Sequence, residues 1–263
     1  MILAERFLFL MRKFLFMLFF SYAICSLAQD QSYDDSLPDH IVGDIGLATY
    51  TSNLHLGTYG TQTFFAPYAF ADYKRAFVRI DMFGIKTAKI GYGYLEFTGK
   101  AILDNYVVKS PYTTNTIVRR YPIPIGIGTF QETPIGAFLI NAYHDFSQSK
   151  SALYEFSYFG KIETIEKVIL YPQFGIEKQS SQYANYYYGL TSQQANAIGY
   201  QSYTAPATNN LMAGFLLEIP VIDSWYINIY GKRKWMGSGI SNSPVMNRSF
   251  QDNLFMALAY RFE

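Results

Sequence analysis

Three chemistries are nearly missing from this sequence. It has one cysteine, Cys25, and three histidines, His40, His55 and His144. One cysteine builds no disulfide framework. So few histidines leave little room for a metal centre, and no ligand spacing accompanies the carboxylates. Charge is also scarce: 16% of residues are charged, against about a quarter in a usual soluble domain. The net charge is +1, which gives a nucleic-acid partner no electrostatic support. After residue 28 there is no run of 18 apolar residues, so no spanning helix is available.

What is abundant is aromatic. The chain has 24 Tyr and 22 Phe, and half of all residues are hydrophobic. Mean hydropathy is nevertheless close to zero. Apolar residues diluted one for one by polar ones produce that combination.

The N-terminal stretch reads separately. Met11 to Ala28 has a basic start at Arg12 and Lys13, an apolar run from Phe14, and small residues at Ser26 and Ala28. This is the pattern of a secretory signal over residues 1–28, cleaved after Ala28. Cleavage there removes Cys25. An acidic tail, 29–39, would follow, and residues 40–263 would form one domain.

Through that domain the apolar residues recur with period two, the mark of strands with one apolar face. Leu211, Ala213, Phe215, Leu217 and Ile219 share a face, as do Ala152, Tyr154, Phe156 and Tyr158. Val78, Ile80 and Met82 read the same way, opposite Arg79 and Asp81. The last strand places Leu254, Met256, Leu258, Tyr260 and Phe262 together. An exported chain with such strands is able to live in a membrane, provided it closes a barrel.

The two tryptophans support a barrel. In WYINIYGKRKW, Trp225 and Trp235 lie on one face with Ile227 and Ile229 between them. Ten residues of strand rise about 33 Å. Tilted by about 40°, they cover about 25 Å, the height of a lipid-facing band between aromatic girdles. Tyr260 and Phe262 extend that girdle at the end of the last strand.

The expected fold is therefore all-β: a single transmembrane antiparallel barrel. Eleven segments read as strands, among them 75–85, 90–104 and 117–131. An even number is required, so a short strand in 105–110 would give twelve, and a merger of two early segments would give ten; twelve is preferred. The lumen would carry Arg79, Asp81, Glu96, Lys100, Glu155, Lys161, Glu177, Glu218, Lys232, Lys234 and Arg261. Both signs are interspersed. A pore selecting one ion sign wants a ring of one sign, so internal ion pairs and a narrow or plugged lumen are expected.

No catalytic residue emerges. NAYHDFS offers Asn141, His144 and Ser147, but odd offsets on a strand point to opposite faces. No cofactor or metal is expected. The distinctive loop is 179–208, where Thr191 is placed to cap a short helix ended by Gly199. Tyr183, Tyr186, Tyr187, Tyr188, Tyr200 and Tyr203 surround it. They form either a contact platform for a glycan or partner, or the core of a self-packed loop over the barrel mouth.

YANYYYGLTSQQANAIGYQSYTA resembles the loop of the MipA/OmpV family of outer-membrane proteins. SNSPVM, Ser241 to Met246, is similar to that family's Asp-Ser-Pro loop with Asn242 in place of Asp. Phe64 to Arg79 is similar to its second hairpin, and LAYRF fits its ending. The resemblance implies an outer-membrane barrel in contact with lipid and lipopolysaccharide, with no catalytic residue. It also implies a scaffold role, as in the member that joins a lytic transglycosylase to a peptidoglycan synthase. Surface adhesin or antigen and small-solute channel are the alternatives. An enzyme acting on lipopolysaccharide is a further one, less favoured.

Overall fold

The computed structural model describes residues 37–263, apart from 55, 58–59, 103–105 and 165–166. The expected signal segment 1–28, most of the expected tail, His55 and the start of 105–110 lie outside the described residues. Among the described residues no helix is long and apolar enough to cross a membrane.

The strands close on themselves. Strands β1 (Val42–Ser52), β2 (Gln62–Tyr73), β3 (Ala76–Arg79), β4 (Met82–Ile90) and β5 (Gly93–Lys100) follow one another as antiparallel neighbours. β5 then pairs with β8 (Pro124–Thr133), which is followed by β9 (Gly136–Asp145) and β10 (Ala152–Phe159). β10 continues after a break as β11 (Ile162–Glu163) and pairs with β12 (Ile169–Gln179). β13 (Thr208–Ile222), β14 (Trp225–Trp235) and β15 (Phe250–Phe262) complete the wall, and β15 pairs with β1. The result is a closed twelve-strand antiparallel barrel, with β10 and β11 counted as one strand.

Alternation sorts the side chains as the sequence implies. On β14, Trp225, Ile227, Ile229 and Trp235 point outward, while Asn228 is fully buried inside. On β15, Leu254, Met256, Leu258, Tyr260 and Phe262 are exposed outside, and Phe255, Ala257 and Ala259 are buried inside. The girdle is continuous at one end. Trp225 meets Tyr260 edge-on at 5.6 Å, and Tyr260 meets Phe262 at 4.8 Å. That end carries the short turns, the end that outer-membrane barrels keep on the periplasmic side. Trp235 stands at the other end, beside the long loops.

The twelfth strand is not where the sequence suggested. Residues 107–109 do form a strand, β6 (Val107–Lys109), but it pairs with β7 (Thr116–Val118) outside the wall, apart from a single bridge between Lys109 and Gly57. The missing wall strand comes from 75–85, which is two strands. A tight turn at Ile80 and Asp81 reverses the chain, with Ile80 at φ 60°. Arg79 then lies opposite Met82, so both point inward. A branched residue is a poor choice for a left-handed turn position, so the sequence carried no turn signal there.

That hairpin leaves a notch. β3 has four residues and covers only Phe70–Tyr73 of β2. Residues 62–69 of β2 pair with β1 but have no strand on their other side among the described residues. The carbonyl of Ala69 accepts from the Ile80 N–H, so the odd-numbered backbone groups of β2 face the notch. Pro67 is one of them. Having no N–H to leave unpaired, proline fits an open edge and little else in a strand.

Candidate functional site

Two features distinguish this barrel from an empty cylinder: a lumen crossed by ion pairs, and a mouth closed by a tyrosine core.

The lumen pairs are built by strand alternation, which delivers one charge from each of several strands to a common level. Arg79 of β3 grips Glu96 of β5 through two bonds of 2.9 and 2.8 Å. Its guanidinium lies over the rings of Phe77 and Phe130 at 4.1 and 4.6 Å. Lys100 bonds Glu155 and lies 3.7 Å from Asp81, which sits in the β3–β4 turn. Lys234 lies 3.6 Å from Glu177, whose carboxylate also accepts from Asn210 and Gln179 at 2.8 Å each. Arg261 bonds Asp44 through two contacts of 2.7 and 2.8 Å and reaches Glu218 at 3.3 Å. Every lumen charge expected on the wall is thus placed inside except Lys161. That residue falls in the break between β10 and β11, where it is exposed and pairs with Glu163 at 2.8 Å.

Two lumen acids escaped the sequence reading. Asp44 follows Gly43 near the start of its strand, where alternation had barely begun. Asp72, which pairs with Lys86 at 2.8 Å, read as part of a turn.

The mouth is closed by the long loops. Residues 181–188, read as loop from the sequence, form helix α1 (Ser181–Tyr188), capped by the Ser180 hydroxyl. The expected short helix is α2 (Ser192–Ile198), with a full capping box between Thr191 and Gln194 and Gly199 at φ 73°. A third helix, α3 (Ser238–Ser241), belongs to the loop before β15. Tyr183, Tyr187 and Tyr188 of α1 are almost fully buried together with Leu54, Leu56, Tyr106, Val108, Ile198, Ile240 and Val245. Tyr187 packs on Tyr106 at 4.4 Å and on Tyr183 at 4.8 Å. It also donates to Asp145 at 3.3 Å. Burial pushes the phenols of Tyr183 and Tyr187 above their ordinary range, and the Asp145 carboxylate adds to this for Tyr187.

This corrects the platform reading for half of its residues. Three of the six tyrosines are core and offer no surface to a partner. Tyr186, Tyr200 and Tyr203 keep part of their surface. Tyr200 meets the well-exposed Tyr112 edge-on at 5.6 Å, and Arg119 lies over Tyr186 at 5.6 Å. Burial also lowers the tendency of Arg119 to stay charged. The guanidinium is held by the Gly189 carbonyl at 2.8 Å.

His144 points outward against the ring of Phe146 at 4.7 Å, whereas Asn141 is buried inside. Ser147 instead donates to Asp145 at 2.5 Å. The three residues of NAYHDFS therefore do not meet. Among the described residues no group of three or more His, Cys, Asp or Glu is placed to hold a metal ion.

The two distant segments with the family pattern are neighbours in this cap. The Ser243 hydroxyl of SNSPVM donates to the Tyr188 carbonyl of YYYG at 2.6 Å. A family profile described as MltA-interacting protein MipA matches residues 45–262. The chain belongs to the MipA family. Among curated relatives, outer membrane protein Omp26La of Vibrio anguillarum is 30% identical over 141 residues, 52% of this chain and 54% of that protein. Outer membrane protein OmpV of Vibrio cholerae serotype O1 is 33% identical over 93 residues, 35% of this chain and 36% of that protein. The matches thus span about half or less of those relatives. With the closed barrel, they make this MipA-family chain an outer-membrane β-barrel.

Proposed function

We propose that this barrel is a non-enzymatic interaction protein that docks wall-remodelling enzymes, a lytic transglycosylase foremost, at its periplasmic rim. The observation that carries this reading is the filled interior. Paired charges cross the lumen and a tyrosine core closes the mouth, so no through-route for a solute is left and the two ends are the surfaces open to a protein partner. The family description, MltA-interacting, names a lytic transglycosylase as a partner within the family. A bifunctional peptidoglycan synthase is the second partner this scaffold reading implies.

The periplasmic rim has features suited to docking. Pro38 accepts from the Lys74 N–H at 2.7 Å, and His40 reaches the Glu263 carbonyl at 3.1 Å. The chain leading into β1 is thereby tied across the rim. Lys74, Arg75 and Lys167 add positive charge on the short turns.

The test is a pull-down from crosslinked envelopes with the lytic transglycosylase as prey. Wild-type barrel is expected to recover it. Deleting residues 29–38, or reversing charge with Arg75→Glu and Lys167→Glu, is expected to abolish recovery. No enzyme recovered by the wild type would refute the reading. A surface-contact role is the second reading, favoured by exposed Tyr112 and Tyr121 at the cap end.

A further inference from the structure

Among the described residues, two lysine or arginine side chains stand near the cap end of the wall's lipid face, and the wall treats them differently. Arg233 of β14 is neutralised by Asp252 of β15 through bonds of 2.6 and 2.8 Å. Lys178 of β12 is one residue from the strand end and exposed, and no acidic side chain among the described residues pairs with it. The lumen acids are out of its reach by geometry. Glu177 and Gln179 beside it point inward, so Lys178 points out.

Lys178 also stands at the end of a furrow of about 520 Å³ on the outer wall. That volume is in the range of a ligand site. Two rows of outward side chains border it, each crossing the strands along the pairing direction. One row runs Thr129, Ile140, Phe156, Ile176 through successive register pairs. The other runs Ile127, Ala142, Tyr154, Lys178, Asn209. Ala142 is the small member that keeps the floor low. The lining is apolar throughout, and Lys178 and Asn209 border it at the cap end.

An apolar trough bordered at its end by an amide and by a cation with no acidic partner among the described residues, at the headgroup level of the outer leaflet, matches one ligand class. We infer that this furrow seats an acyl chain of a lipid A molecule, with a lipid A phosphate on Lys178 and Asn209. A phosphate there gains a charge-assisted bond, and the lysine gains the partner the wall denies it. Strand tilt makes the furrow descend from that end into the bilayer, so a chain anchored at Lys178 follows it downward.

The experiment is native mass spectrometry of barrels extracted from outer membranes in mild detergent. Wild type is expected to retain one lipopolysaccharide molecule. Lys178→Met is expected to lower retention about fivefold, the usual worth of one lysine at an anionic surface. Ala142→Phe, which fills the floor and leaves the charge, is expected to lower it as well. Arg233→Met is expected to leave it unchanged, and heat-modifiable gel mobility confirms folding of each variant. After delipidation, lipid A is expected to rebind and its dephosphorylated form to bind no better than it does to Lys178→Met. Equal retention by wild type and Lys178→Met, retention of phospholipid instead, or indifference to the phosphates would overturn the inference.

Discussion

Asp44 and Arg261 face each other across the seam where β1 meets β15, joined by two bonds of 2.7 and 2.8 Å. The pair does more than add a contact. Asp44 also accepts from Asn228 at 2.9 Å, and Arg261 reaches Glu218 and lies over Tyr226 at 3.8 Å. β1, β13, β14 and β15 are thus tied at one level. Asp44→Ala leaves the guanidinium short of a partner inside the lumen, and breaking such a pair costs about 3–5 kcal/mol. The expected outcome is a lower urea midpoint for loss of heat-modifiable mobility. Asp44→Asn with Arg261→Met and Glu218→Gln, which removes all three charges of the cluster, is expected to recover most of it. A single variant as stable as wild type would show that the seam does not depend on the pair.

The same economy of charge governs conductance. Arg79 with Glu96, Lys100 with Glu155 and Lys234 with Glu177 span the interior, and the cap closes one end. In planar bilayers the wild type is expected to show no steady ion current. Removing residues 181–206 with a short linker unseals the mouth but keeps the pairs, and is expected to give only small, brief openings. Adding Lys100→Ala and Glu155→Ala to that deletion is expected to raise the current further. A large steady conductance from the intact chain would favour a channel over a docking protein.

The notch predicts an alternation within one strand. Thr63 and Phe65 aim their N–H groups at the open edge, and Phe64, Ala66 and Tyr68 aim theirs at β1. Hydrogen exchange in micelles is expected to be fast at the first two and slow at the other three. At Ala71 and Tyr73, where β3 covers the same edge, protection is expected to return. Uniform protection along β2 would mean the edge is covered.

How much of this was legible in the residues follows from what alternation encodes. Period two fixes faces, so Trp225, Trp235 and Tyr260 outside, and Glu96, Glu155 and Arg261 inside, are legible in the sequence. A lumen of paired charges followed from interspersed signs. Pairing partners were not readable, because register depends on the whole closed sheet. The reversal at Ile80 was also hidden. A two-residue turn with Met82 just beyond it extends the apolar alternation of Val78 and Ile80, so the hairpin imitates a straight strand. Half of the tyrosines belong to the self-packed loop and not to a platform, for a different reason. Tyr183 and Tyr187 are four residues apart and stack on one face of a helix, a period that a stretch read as loop does not reveal.

The buried tyrosines give the cap a pH limit. Tyr183 and Tyr187 hold their protons more tightly folded than unfolded, because burial disfavours the phenolate. The unfolded cap binds fewer protons once pH passes the ordinary tyrosine value of about 10. Stability of the cap is therefore full below that pH and falls as pH rises toward the folded values. Limited proteolysis of loop residues 180–207 is expected to be slow and flat from pH 7 to about 9.5 and to accelerate above about 10, while the strands stay resistant. Tyr187→Phe keeps the packing but removes one titrating phenol and its bond to Asp145, so the acceleration is expected to be shallower. Tyr187→Ala removes the ring packed on Tyr106 and Tyr183, at a cost of about 3–5 kcal/mol to the cap. It is expected to make the loop sensitive at neutral pH. Tyr112→Ala, at an exposed ring, is expected to change neither the pH at which cleavage accelerates nor the rate at pH 7. If Tyr187→Ala behaved like Tyr112→Ala, the cap would not rest on this core.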